Sequence, residues 1–304
     1  VSVLALLCVL SVGCSSGVDA PPEEGGEAGL EPSVYAVNYP LAYFARRIGD
    51  GSVEVVFPVP DGVDPAFWSP GPEAVRAFQQ SDLILLNGAG YAKWVGRVSL
   101  PPSKLVDTSR AYADRLIRAA DTVTHSHGPQ GEHSHGEVAF TTWLDPTLAI
   151  EQARAIVDAI SGLRPEEAGA LEARFERLER DWSALDAELS SAFASRPDEP
   201  LLGSHPVYQY LARRYSLNLE SVHFEPDEVP DQAAWTELET LLGHHPARWM
   251  LWESEPLAET RSRLEQLGVA TVVFDPCAGR PETGDLLTTM RSNVENLRTV
   301  FAAR

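Results

Sequence analysis

Cysteine is nearly missing from this chain: Cys8, Cys14 and Cys277 are the only three in 304 residues. No disulfide framework can hold the fold, so packed cores must do so. Basic residues are also scarce. Lys plus Arg number 24 against 44 Asp plus Glu, a formal net charge of −20. That balance repels nucleic acid and anionic lipid and favours cations. The apolar run at the N-terminus, V-S-V-L-A-L-L-C-V-L-S-V-G-C, is too short for the roughly 20 residues of a membrane-spanning helix. Absent too are H-E-x-x-H, G-x-S-x-G and a P-loop, and G-A-G-Y-A-K (88–93) has Lys93 where a dinucleotide fingerprint wants its third glycine. These absences argue against an enzyme.

What is present in excess is histidine, in one place. His125, His127, His133 and His135 are half of the eight histidines and fall in an 11-residue window, where even scatter would put roughly 0.3. Two His-Ser-His pairs flank a Gly/Pro-rich spacer, so the imidazoles can converge on one ion. Neutral imidazole is a common ligand for zinc, copper and nickel. The competing reading is a solvated polar loop that binds nothing specific.

The N-terminal run ends in small residues at Gly13-Cys14 and has the shape of a signal-peptide core. It resembles a bacterial lipoprotein signal (residues 1–14) with Cys14 as the lipidated residue. Ser11 stands where leucine is usual, and no basic region precedes the run; the basic residues are expected upstream of Val1. An ordinary secretory signal is the alternative, and either one exports the protein. With Cys8 removed and Cys14 lipidated, Cys277 would be the one remaining thiol. Residues 15–32 are Gly, Pro, Ser and acid without apolar period, which reads as a disordered tether to the membrane.

Beyond the tether, short apolar runs alternate with helical patterns. Val34 to Val37, Val53 to Phe57, Leu83 to Leu86 and Lys104 to Val106 read as strands, with helices at Leu41 to Ile48 and Pro72 to Gln80. They predict an N-terminal α/β lobe over 33–164, with a parallel sheet and the histidine loop at 124–136. The plan repeats over 197–304, with strands near Leu201, Leu219 to Phe224, Trp249 to Trp252 and Ala270 to Phe274, and helices at Val207 to Tyr215, Gln232 to Leu242 and Leu257 to Leu267. An echo ties the halves together: Tyr43 to Phe57 laid over Tyr210 to Phe224 matches at six of 15 positions. Between them, Leu171, Phe175, Leu178, Trp182, Leu185, Leu189 and Phe193 recur at steps of four and three, one face of a long connecting helix over 165–196. A coiled-coil dimer helix competes with that reading.

Ligands of parallel α/β lobes bind beyond the carboxyl ends of the strands. Those positions include Pro58 to Pro70, Asn87 to Tyr91, Thr141, Asp145, His205, Glu225, Glu253, Glu255 and Asp275. Asp145 before Pro146 reads as a helix cap. His223 reads as packed within a strand, and His244 and His245 as closing a helix.

P-V-P-D-G-V-D-P (58–65), L-L-N-G-A-G-Y-A-K-W (85–94), T-W-L-D-P (142–146), S-H-P-V-Y-Q-Y-L-A-R-R-Y (204–215), F-D-P (274–276) and N-V-E-N-L (293–297) together resemble the zinc/manganese-type (cluster A-I) solute-binding proteins of bacterial ABC importers. The resemblance covers nearly everything after residue 32. It implies two α/β lobes joined by a rigid helix, one metal in the cleft between them, and delivery to a membrane permease. Histidine-rich loops before W-L-D-P are common in its zinc members. Two family histidines are missing, however: Ala66 and Thr141 stand in their places, while His205 and Asp275 match the other two ligands. Two ligands cannot make the shell that zinc prefers. Three accounts stay open. His133 or His135 folds into the cleft; Glu225 or Glu255 joins His205 and Asp275, a harder set that tolerates manganese or iron; or the metal arrives chelated, with Phe67 and Trp68 on its organic part. The resulting expectation is an exported, lipid-anchored, monomeric metal-binding protein serving an ABC permease. Zn2+ comes first as its cargo, and Mn2+ or Fe2+ are the alternatives. A surface metal buffer or chaperone without a permease is the competing function.

Overall fold

In the computed structural model the described residues are Val1, 31–118, 124–127, 131–134 and 138–302. The chain opens with β1 (Ser33–Ala36), α1 (Tyr39–Gly49), β2 (Glu54–Val56), α2 (Pro72–Gln80), β3 (Leu83–Leu86) and β4 (Leu105–Asp107). A hairpin, β5 (Thr124–His127) and β6 (Gly131–Ser134), precedes α3 (Pro146–Leu163) and α4 (Ala168–Ala194). The second half is β7 (Leu201–Gly203), α5 (Gln209–Tyr215), β8 (Leu219–Ser221), α6 (Gln232–Leu242), β9 (Trp249–Trp252), α7 (Ala258–Gln266), β10 (Ala270–Val273) and α8 (Leu286–Ala302).

Both lobes are four-stranded parallel sheets, in the orders β2-β1-β3-β4 and β10-β9-β7-β8. Numbered within its own lobe, each sheet reads 2-1-3-4. The sequence echo therefore lies on equivalent α1-β2 and α5-β8 units. Strands such as L-I-L-L and W-M-L-W are apolar throughout, as strands covered on both faces must be. In a 2-1-3-4 sheet the chain leaves the first strand for one neighbour and returns to the other. Connections diverge there and open a crevice at the strands' carboxyl ends.

The connecting helix differs from expectation at its start. Pro165–Glu167 forms a separate 3-10 turn, and the α-helix begins at Ala168. Arg164 leaves helical geometry before Pro165, as residues preceding proline tend to do. From there 27 residues make a rod of roughly 40 Å. All seven residues of the predicted stripe are buried, and α4 packs on α1 and α3 of the first half and on α8 of the second. One apolar core runs through both lobes, and a smaller one, around Phe224, Trp235 and Trp252, lies in the second.

Cap and strand-end residues hold the loops around the crevice. Asp145 accepts from Thr147 N at 3.0 Å and starts α3. Asn38 accepts from Leu41 N at 3.2 Å to start α1, and its amide donates to Asn87 at 3.1 Å. Asn87 in turn donates to Phe140 O at 2.9 Å. This buried chain of amides fixes the segment that returns from the histidine hairpin. His245 is buried with Nε2 2.9 Å from Leu201 O, a packing role.

Candidate metal centre

His205 sits two residues past the end of β7, at the strand-order switch of the second sheet. Gly203 makes its position attainable: a Cβ there would meet Ser221 Oγ at 2.9 Å and His205 O at 3.2 Å. The imidazole is 8% exposed and lies between two carboxylates. Glu225 Oε1 is 3.5 Å from Nε2, and Glu253 Oε1 is 3.6 Å from Nδ1. Glu225 follows β8 and Glu253 follows β9, so three strand ends supply the three groups.

The cleft in front of them holds about 330 Å³. The first lobe contributes Gly62, Asp64, Ala66, Phe67, Tyr91, Phe140, Thr141 and Trp143. The second contributes His205, Val207, Glu225, Pro226, Asp227, Glu228, Glu253, Pro276 and Ala278. Trp143 Nε1 donates to Pro276 O at 2.7 Å and Tyr39 N to Ala278 O at 2.9 Å, tying the lobes behind it.

Negative charge dominates here. Burial first, then the charges of Asp64, Glu225 and Asp275, push Glu253 up to about 8. Burial raises Asp275, although the Cys277 N–H opposes the shift. Tyr91 and Tyr208 are raised well above 10, mainly by burial, with Asp64 and Glu253 adding for the first and Glu253 and Asp275 for the second. A dication would relieve every one of these repulsions.

The raised acid yields a prediction. The folded state holds the Glu253 proton up to about pH 8, whereas an unfolded glutamate releases it near 4.5. Between those values the native state binds more protons, so stability of the metal-free protein falls as pH rises. The slope is bounded by about 1.4 kcal/mol per pH unit, and water in the cleft reduces it, since 32% of the side chain is exposed. Melting temperatures of the metal-free chain should decline from pH 5 to 8, and Glu253→Gln should flatten the curve.

Several expected residues stand elsewhere. Glu255 is 71% exposed and pairs with Arg261 at 3.7 Å; β9 ends at Trp252, and Glu255 lies three residues beyond it, outside the cleft lining. Asp275, beside the cleft residue Pro276, is close enough for its charge to raise Glu253, and part of its carboxylate is already used. Its Oδ1 accepts from Cys277 N at 2.6 Å, and its backbone exchanges bonds with Asn293 at 3.0 and 2.8 Å. Trp68 packs edge-on against Trp94 at 6.1 Å rather than facing the cleft, whereas Phe67 does line it. Ala66 and Thr141 occupy the wall as the resemblance implies, and the Thr141 hydroxyl donates to Val207 O across the lobes. His125 and His133 are cross-strand partners in the hairpin, with His127 two residues along. His135, Cys8 and Cys14 lie outside the described residues. Sequence reasoning covered Asp64 only within the stretch 58–70, without singling it out, and passed over Asp227 and Glu228 as site residues; all three line the cleft. The signal for Asp64 was its place before Pro65, beyond β2.

Among the described residues no group of three or more His, Cys, Asp or Glu forms a ready metal site. The geometry of His205 gives one reason, since Glu225 and Glu253 face opposite ring nitrogens. An ion at Nε2 could take Glu225 as a second ligand, while Glu253 faces Nδ1 from behind, where a carboxylate orients a ligating imidazole.

A family model described as "Zinc-uptake complex component A periplasmic" matches residues 34–300. The chain belongs to this zinc-uptake family. Its members are substrate-binding components of importers rather than enzymes. The high-affinity zinc uptake system protein ZnuA of Yersinia pestis is 22% identical over 233 residues, covering 68% of this chain and 71% of the relative. The manganese ABC transporter substrate-binding lipoprotein PsaA of Streptococcus pneumoniae is 26% identical over 243 residues, 76% of this chain and 74% of the relative. Among solved structures, the metal-dependent lipoprotein YcdH of Bacillus subtilis superposes with a TM-score of 0.75 at 20% identity, covering 88% of this chain and 98% of that one. That likeness bears on the fold. No described helix is long and apolar enough to cross a membrane.

Proposed function

We propose that this chain captures zinc in the cleft and hands it to the permease of an ABC importer, as an exported protein anchored through Cys14. The observation that carries the reading is a buried imidazole, His205, flanked by the carboxylates of Glu225 and Glu253 at 3.5 and 3.6 Å. In this reading His205 and Glu225 are the second lobe's donors, Asp64 and Asp275 add charge, and a histidine of the loop, His133 or His135, replaces those missing at 66 and 141. What supports this is that the chain following the loop forms the cleft wall at Phe140 and Thr141. The remaining histidines, His125 and His127, would gather ions at low concentration. Two imidazoles with carboxylate suit zinc, whereas His205 with carboxylates alone would suit manganese.

Calorimetric titration decides between them. Residues 31–304, which form one compact unit, are titrated with zinc and with manganese, beside the same chain lacking 124–136. Tight 1:1 zinc binding that disappears with the loop is the expected result. A tight manganese site that survives the deletion would sink the zinc assignment, and no tight site for either ion would sink the function.

A further inference from the structure

Basic residues are few in this acidic chain, 24 against 44 acids, yet four arginines line one recess. Arg46 and Arg47 come from α1, and Arg174 and Arg177 from α4, around a cavity of about 460 Å³. Two carboxylates share the wall, Asp50 at the end of α1 and Asp285 just ahead of α8. The recess has no lining residue in common with the cleft. A hollow with an excess of one charge concentrates ions of the other.

The bonds inside the recess leave some of these donors unused. Asp285 does not neutralise an arginine: it caps α8, accepting from Thr288 N at 2.9 Å and from the Thr288 hydroxyl at 2.8 Å. Arg47 is committed to Asp181 at 2.7 Å and to the Tyr43 hydroxyl at 2.6 Å, and Arg174 donates to Ser52 Oγ at 3.2 Å. Arg46 makes one long bond, to Val55 O at 3.4 Å. Arg177 is exposed and has no ion-pair or hydrogen-bond partner among the described residues. Tyr39 also lines the recess; it is 6% exposed, and its hydroxyl has no partner among the described residues either. Burial pulls the Arg46 guanidinium below its ordinary value and the neighbouring Arg280 adds to that, with Tyr39 opposing. A lone surface arginine is simply hydrated, but cations crowded into a concave site gain from an anion between them. The planar guanidinium also matches carboxylate and phosphate oxygens in pairs.

We propose that this recess binds a small soluble oxyanion with two or more negative charges, a phosphate compound or a polycarboxylate, held by the guanidinium groups of Arg46 and Arg177 and by the Tyr39 hydroxyl. The volume lies within the roughly 300–1,000 Å³ of small-molecule pockets, and cations supplied by two helices suit more than one anionic group. Arg47 and Arg174, fixed by their own partners, add positive potential without having to move. The site stands apart from the metal reading. It has a mechanical consequence, since α1 belongs to the first half, α4 connects the halves and Asp285 leads into α8 of the second. An anion bound there braces that junction, and the folded state gains stability by mass action.

The test titrates the full chain, free of metal, with pyrophosphate and with citrate by calorimetry, and follows its melting temperature at each concentration. A 1:1 site for at least one of them is expected, with melting rising as the anion is added. The double variant Arg46→Gln, Arg177→Gln should weaken that binding by roughly tenfold or more, and Tyr39→Phe by about threefold. Asp50→Asn removes a repelling carboxylate and should strengthen it by about threefold, a gain that misfolding cannot imitate and that decides the matter if the double variant does not fold. Zinc affinity, measured without either anion, should stay within about twofold in every variant. Failure of both anions to bind at millimolar concentration would overturn the proposal, as would full affinity in the double variant or no gain in Asp50→Asn. Capture by phosphatidylglycerol vesicles that needs the same arginines, with no binding of the free anions, would overturn the soluble ligand in favour of a lipid headgroup.

Discussion

Replacing His205 by alanine is expected to weaken zinc binding by more than 100-fold. Losing even an outer partner of a ligand typically costs about 10–100-fold, and His205 is the buried imidazole on which the carboxylates of two loops, Glu225 and Glu253, converge. The fold should tolerate the change, because the ring packs in the cleft wall rather than in either apolar core. Glu225→Gln should weaken binding in the same direction by a smaller factor, as it keeps an oxygen donor and loses the charge. Glu253→Gln separates positioning from ligation. If Glu253 acts only behind Nδ1, an amide there retains an acceptor and affinity falls modestly. Proton release is the second readout. At pH 7 the metal-free Glu253 holds a proton that a bound dication would expel, so zinc titrations in buffers of different ionisation enthalpy should show about one proton released, and Glu253→Gln should abolish it. Wild-type affinity in His205→Ala would remove the metal from this end of the cleft.

The second large effect concerns the helix that joins the lobes. Trp182 is 1% exposed, and its indole meets Phe44 edge-on at 5.1 Å and Tyr43 at 5.6 Å, so it packs α4 onto α1 beside the Arg47–Asp181 ion pair at 2.7 Å. Trp182→Ala should cost about 4 kcal/mol, a sizeable share of the 5–15 kcal/mol that typically holds a domain folded. At about 2–4 °C per kcal/mol for chains of this size, melting should fall by roughly 10 °C. Trp182→Phe keeps the apolar contact and should lose less than half of that. A change under 1 kcal/mol for the alanine variant would mean that α4 is held elsewhere. Metal affinity of the folded fraction should be unchanged, which separates this effect from that of His205.

Some of this architecture could be read directly. The stripe from Leu171 to Phe193 has a helical period, and all seven residues are buried as that period demands. The same holds for Asp145, whose cap follows from its place before Pro146 and Thr147. The echo between Tyr43–Phe57 and Tyr210–Phe224 marked equivalent units of two sheets with one strand order. The candidate site was less accessible. Glu253 and Glu255 are two residues apart in W-E-S-E-P, and their composition does not distinguish them. The end of β9 does, turning one into the cleft and leaving the other to Arg261. Asp275 matched a family ligand by sequence, yet its Oδ1 closes a turn onto Cys277. Thr141 looked like a lost ligand and has a use of its own, since its hydroxyl bonds Val207 across the lobes.

The sequence by itself determined the alternation of strands and helices, the long connecting helix, the acidic charge and the histidine-rich loop. These are local properties: period, capping chemistry and residue type act over a few positions. Only the tertiary structure decided that Asp64, His205, Glu225 and Glu253, far apart along the chain, surround one cleft. Which strand ends face each other depends on sheet order and lobe packing, and burial of charge, the cause of the raised Glu253, exists only once both lobes have closed around it.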